Sequence, residues 1–262
     1  MIDNIVDSIV SSKKYKGIYP KTVERIVRET SRRYVPKDVE KNSKNLLHQI
    51  WGSYYTHYPD FEKLTDNFKK NLQDCNDIKE TIIPILKIHS STAERIPISI
   101  DFYKKIFEIT GSPSSIVDIA CGLNPLMFPW MSLASDCKYL SYDIDIFEVE
   151  FLNNVFSILG QNNRFKSFAG DIFIDSFPSC DIVFMLKLLP LLYLQDKGEV
   201  INILSNLECN FIIISFPTRS LSGKNVGMES NYSHMIESII NTQKWKISRL
   251  VFRSELVYVI KK

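Results

Sequence analysis

No stretch of the chain approaches the roughly 18 consecutive apolar residues that a membrane-crossing helix needs, and the first residues do not pair a basic segment with an apolar run. The 262 residues are therefore expected to be cytoplasmic, with no membrane partner. Cysteine is scarce and odd in number: none of the five forms a Cys-x-x-Cys pair or stands beside His at metal-ligand spacing. That excludes a disulfide framework and a zinc site and fits a reduced compartment. With only 9 Gly and 11 Pro against 45% apolar residues, collagen-like repeats, low complexity and disorder are excluded as well. The length suits one large domain, or a large domain with a smaller one appended.

The near-neutral formal charge of +2 hides an asymmetry. Residues 1–58 carry 11 Lys and Arg against 6 Asp and Glu, a net of +5, while the rest is slightly acidic. Positive charge gathered at one end suits a phosphate-binding module attached to a neutral domain. The same stretch reads as helical, with apolar positions three and four apart (Ile5, Ile9; Val23, Ile26, Val27) and prolines at helix starts (Pro20, Pro36). Lys13, Lys14, Lys16, Lys21, Arg25, Arg28, Arg32 and Arg33 form a compact basic set there. An aromatic cluster follows (Trp51, Tyr54, Tyr55, Tyr58, Phe61), and a further helix near 77–88 is interrupted by Pro84.

After residue 114 short β-branched runs alternate with helical segments. Strands are predicted over 115–120, 139–142, 164–168, 181–186, 210–216, 246–252 and 256–260, with helices over 126–133, 146–159, 197–207 and 229–242. Such alternation predicts an α/β fold of the Rossmann-like kind, a doubly wound and mostly parallel sheet. The last two strands adjoin without a helix, so a hairpin is expected to insert one antiparallel strand. The expected division is 1–95, an N-terminal helical subdomain, and 96–262, the sheet domain.

In a doubly wound sheet the ligand lies beyond the carboxyl ends of the strands. The first strand ends Asp118-Ile119-Ala120-Cys121-Gly122, a strand acid ahead of a tight glycine turn. The second ends in Asp143, 25 residues on, where a carboxylate can accept both hydroxyls of a ribose. The third ends in Asp171-Ile172, where an acid can accept an adenine amine. A dinucleotide enzyme would require the full Gly-x-Gly-x-x-Gly turn for its pyrophosphate, and only one glycine stands here. S-adenosylmethionine carries no phosphate and tolerates the sparser turn. At the end of the fourth strand, Leu186-Lys187-Leu188-Leu189-Pro190 lacks the Asp/Asn-Pro-Pro-Tyr/Phe pattern of amino-group methylation, and no Pro-Cys motif provides a nucleophile for attack by a ring carbon. A ring nitrogen such as guanine N7 needs neither.

Five segments in order, His89-Ser90-Ser91-Thr92-Ala93-Glu94-Arg95, Asp118 to Pro125, Leu186 to Pro190, Ser215 to Leu221 and Glu255 to Tyr258, together with Leu47 to Tyr55, resemble the aminoglycoside-resistance 16S rRNA (guanine(1405)-N7)-methyltransferases. The resemblance runs nearly end to end. It implies a class I methyltransferase domain that uses S-adenosylmethionine and releases S-adenosylhomocysteine, an N-terminal subdomain docking on 16S rRNA of the assembled 30S subunit, a monomer, and resistance to 4,6-disubstituted deoxystreptamine drugs.

By the same resemblance, Arg95 pairs with the cofactor carboxylate, and His89, Ser90, Ser91, Thr92, Ala93 and Glu94 line its wall. Asp118, Ala120 and Gly122 hold the methionine end, Asp143 the ribose, Asp171 and Ile172 the adenine, with Leu186, Gln195 and Tyr54 completing the pocket. Lys187, and Arg219 in the polar 218–227 segment, are the candidate substrate-side catalytic residues; Lys13, Lys14, Arg25, Arg28, Arg32 and Arg33 are the candidate rRNA contacts. Two other readings stay open on sequence grounds. One is a methyltransferase of another rRNA base or a metabolite; the other is a non-catalytic RNA-binding or subunit-assembly protein on a degenerate cofactor fold. The joint presence of Arg95, Asp118, Asp143 and Asp171 argues against the last.

Overall fold

The alternating β-branched and helical segments of the second half build one seven-stranded sheet. The computed structural model describes residues 2–52, 54–75, 77–218, 228–240 and 243–262. The strands are β1 (Ser115–Ile119), β2 (Lys138–Asp143), β3 (Phe165–Ala169), β4 (Cys180–Leu186), β5 (Cys209–Pro217), β6 (Lys246–Val251) and β7 (Glu255–Lys261). Their spatial order is β3-β2-β1-β4-β5-β7-β6. The first five run parallel, and β7 enters antiparallel between β5 and β6. The predicted α/β class, all seven strands and the closing hairpin are present. The reversal of strand order falls between β1 and β4, so the crevice there is where a ligand belongs.

Both faces of the sheet are covered, as expected where side chains alternate with period two along buried strands. Ile116, Ile182, Phe184 and Ile213 point to one face, against α4 (Phe61–Asp74), α5 (Ile78–Leu86), α7 (Ser99–Thr110) and α8 (Ile146–Ile158). Val117, Val183, Met185, Ile212 and Ile214 point to the other, against α9 (Leu189–Asp196), α10 (Val200–Asn206) and α11 (Met228–Ile240).

A third cluster, Ile9, Ile18, Val23, Ile26, Val27, Val39 and Leu47 among its members, is the private core of α1 (Ile2–Val10), α2 (Pro20–Arg33) and α3 (Pro36–Ile50). This unit is tied to the loop between β2 and α8 by Tyr19 N–H to the Ile144 carbonyl (2.7 Å) and Ile146 N–H to the Gly17 carbonyl (2.8 Å). The expected division at residue 95 lies after α6 (Ser90–Arg95), yet the private core ends at Trp51, and the helices from Phe61 onward share the core of the sheet.

Two predicted helices differ. Of the helix expected over 126–133, residues 126–130 belong instead to a 3-10 stretch, Asn124–Trp130, because Pro129 removes a donor that an α-helix there would need. The helix expected over 197–207 is α10, which starts only at Val200; α9, not expected, precedes it and ends at Asp196, whose carboxylate accepts the Gly198 N–H (2.9 Å). Helix α4 was not singled out from periodicity. Its N-terminus is set by Asp60, which accepts the Lys63 N–H at 3.0 Å.

Candidate active site

A cleft of about 920 Å³, its open mouth included, lies over the carboxyl ends of β1, β2, β3 and β4. Three residues beside it hold left-handed backbone: Ala120 (φ 54°), Gly122 (φ 48°) and Lys187 (φ 60°). For the two non-glycine residues this is strain of the kind found at binding sites. It makes β1 and β4 turn away sharply and leaves the cleft between them. Glycine is required at 122 on two counts, since a Cβ there would also sit 2.9 Å from His89 Cε1.

The turn is fixed from β2. Asp143 Oδ2 accepts the Gly122 N–H (2.9 Å) and Oδ1 accepts the Asp145 N–H (3.1 Å). Burial raises the Asp143 carboxyl, and those backbone donors pull it back. Below it, Asp145 caps α8 through the Phe147 and Glu148 N–H groups and accepts from Trp51 Nε1 (2.7 Å) and from the Tyr58 hydroxyl. Burial pushes Asp145 up to about 6. Glu148 accepts from the Tyr55 hydroxyl, and burial, then the neighbouring Asp143 and Asp145, hold it well above the carboxylate range. Trp51, Tyr55, Asp145 and Glu148 line the cleft but were not assigned from sequence. The aromatic cluster was visible there, and only its partners were not.

The next wall is helix α6. The Tyr55–His89 bridge and the Ser90 N–H to the Tyr54 carbonyl (3.0 Å) stitch its start to the aromatic segment, where Tyr54 stacks on His89 at 5.3 Å. Burial, then Lys187 and Arg95, press His89 down to about 3, so its ring is neutral. Its Nδ1 is buried without a hydrogen-bond partner among the described residues.

Arg95 is wholly buried. Its Nε and Nη2 meet the two oxygens of Glu255 (2.9 and 3.0 Å), and Nη1 donates to Asn124 Oδ1 (2.8 Å). Asn124 links this pair to Asp118, donating from Nδ2 to Asp118 Oδ2 at 2.8 Å. Lys187 donates to Glu94 Oε2 (2.6 Å) and lies 3.8 Å from Glu255.

At the far end Asp171 Oδ1 accepts the Phe173 N–H (3.0 Å), while Oδ2 receives Arg25 Nε (3.0 Å) and Nη2 (2.9 Å). Arg25 Nη2 also donates to Gln195 Oε1 at 2.7 Å.

Of the expected cofactor residues, Tyr54, His89, Ser91, Arg95, Ala120, Gly122, Asp143, Asp171, Ile172, Leu186 and Gln195 line the cleft together, with Lys187. Five others are placed behind it. Ser90, Thr92, Ala93 and Glu94 lie on other faces of the short α6, Thr92 being turned to the Leu86 and His89 carbonyls. Asp118 points the opposite way from Ile119 because strand side chains alternate. It is fully buried with Tyr139 and Asn124, and burial pushes its carboxyl up to about 7.

Arg25, expected as an rRNA contact, turns inward, and its partners Asp171 and Gln195 lie in the cleft. Lys13, Lys14, Arg28, Arg32 and Arg33 are exposed. Arg219, with the rest of 219–227, lies outside the described residues.

These groups fit S-adenosylmethionine. The bare Gly122 gives close backbone approach, and Asp143 and Asp171 offer acceptors at successive strand ends. Arg95 brings a buried guanidinium to the cleft for a carboxylate. Cys121, the one thiol lining the cleft among the described residues, is held protonated by burial.

The family model described as Ribosomal RNA methyltransferase (FmrO) matches residues 11–259. A 16S rRNA (guanine(1405)-N(7))-methyltransferase of Micromonospora echinospora is 32% identical over 268 residues, covering 100% of this chain and 97% of that protein. One from Proteus mirabilis is 30% identical over 272 residues, covering 99% and 96%. The crystal structure of the 16S rRNA methyltransferase RmtF in complex with S-adenosyl-L-homocysteine superposes with a TM-score of 0.85 at 29% identity, covering 100% of this chain and 98% of that one.

Proposed function

The chain belongs to the ribosomal RNA methyltransferase (FmrO) family, and from that premise we propose that it methylates N7 of guanine 1405 in 16S rRNA, acting as a monomer on the assembled 30S subunit and so conferring aminoglycoside resistance. The observation that carries this reading is the cleft: a glycine turn, two strand-end acids and a buried arginine converge on it, and Lys187 lines it.

S-adenosylmethionine supplies an electrophilic methyl group on sulfur. Guanine N7 carries a free in-plane lone pair, so methyl transfer to it needs no general base; burial suppresses the basicity of His89 and holds Cys121 protonated. The residues bind and orient. Asp143 is placed for the ribose, Asp171 and Ile172 for the adenine, and Arg95 for the carboxylate, while Leu186 and Trp51 keep water from the centre. Lys187, held by its strained backbone and by Glu94, is positioned to meet the target nucleotide. That nucleotide must first be extruded from its helix.

Incubation with tritiated S-adenosylmethionine and 30S subunits, with free 16S rRNA and 50S subunits as controls, is expected to label 30S alone, at guanine 1405. Label at another base would overturn the substrate, and none at all would overturn the activity.

The exposed basic residues are the proposed rRNA footprint. Each phosphate contact contributes about one unit to the slope of log affinity against log salt. Lys13→Glu with Arg32→Glu should weaken 30S binding and flatten that slope by about 2; an unchanged slope removes these residues from the interface.

A further inference from the structure

The basic residues of helix α2 differ in exposure. Lys21, Arg28, Arg32 and Arg33 are exposed, whereas Arg25 is surrounded. Besides Asp171 and Gln195, its guanidinium meets Glu29 Oε1 (3.1 Å) and lies 4.4 Å over the Phe173 ring. The contact is reinforced at its rim, where Lys21 pairs with Asp175 (3.7 Å) and Arg33 Nη2 approaches the Gln195 carbonyl at 3.4 Å. The helix carrying the basic face is thus also a wall of the cleft, with Thr22 and Arg25 lining it alongside Ile172 and Phe173. The N-terminal unit has its own core, so α2 packs chiefly on α1 and α3.

We propose that Arg25 couples the cofactor site to the rRNA-docking unit, so that cofactor binding and 30S binding strengthen each other. The inference rests on the proposed function. Asp171, the acceptor proposed for the adenine amine, has one oxygen given to the Phe173 N–H and the other to Arg25, so nucleoside and helix meet at one carboxylate. A ligand filling the space between α2 and the strand ends makes part of its contacts only while α2 is in place, and it therefore favours that placement. The same placement presents Lys21, Arg28 and Arg32 together. Linkage requires the effect to be equal in both directions. Without Arg25, Asp171 and Gln195 still serve the cofactor, and the Tyr19–Ile144 and Gly17–Ile146 backbone links still tether the unit, but the arm between them is gone.

The test uses the full chain. Dissociation constants for 30S subunits are measured with and without saturating S-adenosylhomocysteine, and for S-adenosylhomocysteine by calorimetry. In the wild type the ligand should tighten 30S binding about tenfold. Arg25→Met, which keeps an apolar contact on Phe173, should bring that factor below about threefold. Arg28→Met, exposed and paired only with Glu24 on its own helix, should weaken 30S binding yet keep the full factor. A factor of one in the wild type, or an undiminished factor in Arg25→Met, overturns the inference. So does a fall in melting temperature and in both affinities with the factor retained, the pattern of a simple structural staple. A wild type that binds no S-adenosylhomocysteine in the first titration would instead overturn the cofactor reading beneath it.

Discussion

Arg95→Met is expected to lower the melting temperature by about 10 °C and to abolish measurable cofactor binding. The arginine and Glu255 are both fully buried and face each other through two contacts of 2.9 and 3.0 Å. Removing the cation leaves the Glu255 carboxylate with Lys187, 3.8 Å away, as its remaining charged neighbour. Breaking a buried ion pair from one side costs about 3–5 kcal/mol, and in a domain of this size each kcal/mol moves the melting temperature by about 2–4 °C. The double variant Arg95→Met with Glu255→Met removes both charges and should regain most of that stability, because the cost lies in the orphaned charge. It should not regain cofactor binding, since the guanidinium proposed for the cofactor carboxylate is still missing. Thermal unfolding and calorimetry with S-adenosylhomocysteine check the two halves separately. A single variant as stable as wild type would refute the energetic argument, and a double variant with restored affinity would remove Arg95 from the cofactor site.

Asp143→Asn should weaken S-adenosylhomocysteine binding about 100-fold while leaving the fold intact. Hydrogen bonds to a charged group contribute roughly 1.5–3 kcal/mol each, and the ribose would offer two; a net loss of about 3 kcal/mol corresponds to about 100-fold. The remaining amide oxygen can still accept the Gly122 N–H, which Asp143 accepts at 2.9 Å, so the turn after β1 should persist, and the amide NH2 gives up only the Asp145 N–H contact of 3.1 Å. Affinity within threefold of wild type would mean that the ribose is held elsewhere.

The chain sequence alone determined the sheet. Seven β-branched runs, the strand-end acids Asp143 and Asp171 and the lone glycine of the first turn were legible because period-two alternation and strand-to-strand spacing are local properties. The resemblance added Arg95, Tyr54 and Gln195, which no spacing argument would have singled out, and the structure places all three on the cleft. Asp118 shows the limit of reading strand ends. It is as prominent in the motif as Asp143, but it pairs with Ser141, two residues before Asp143, and so lies deeper in the sheet beneath the cleft, where it supports Asn124 and through it Arg95.

Only the tertiary structure decided what faces what. Glu255, 160 residues from Arg95, supplies its counter-charge, and Asn124 fills the place between Arg95 and Asp118. Trp51 and Tyr58 meet at Asp145 because α3 and the loop after it fold back onto α8. Arg25 was grouped with its basic neighbours from composition, since charge and helical periodicity say which residues share a face but not which face meets the sheet. Its partners, Asp171 and Gln195, lie 146 and 170 residues away. Contacts at such separations follow from the packing of preformed elements, so they are settled only when the helical unit and the sheet come together.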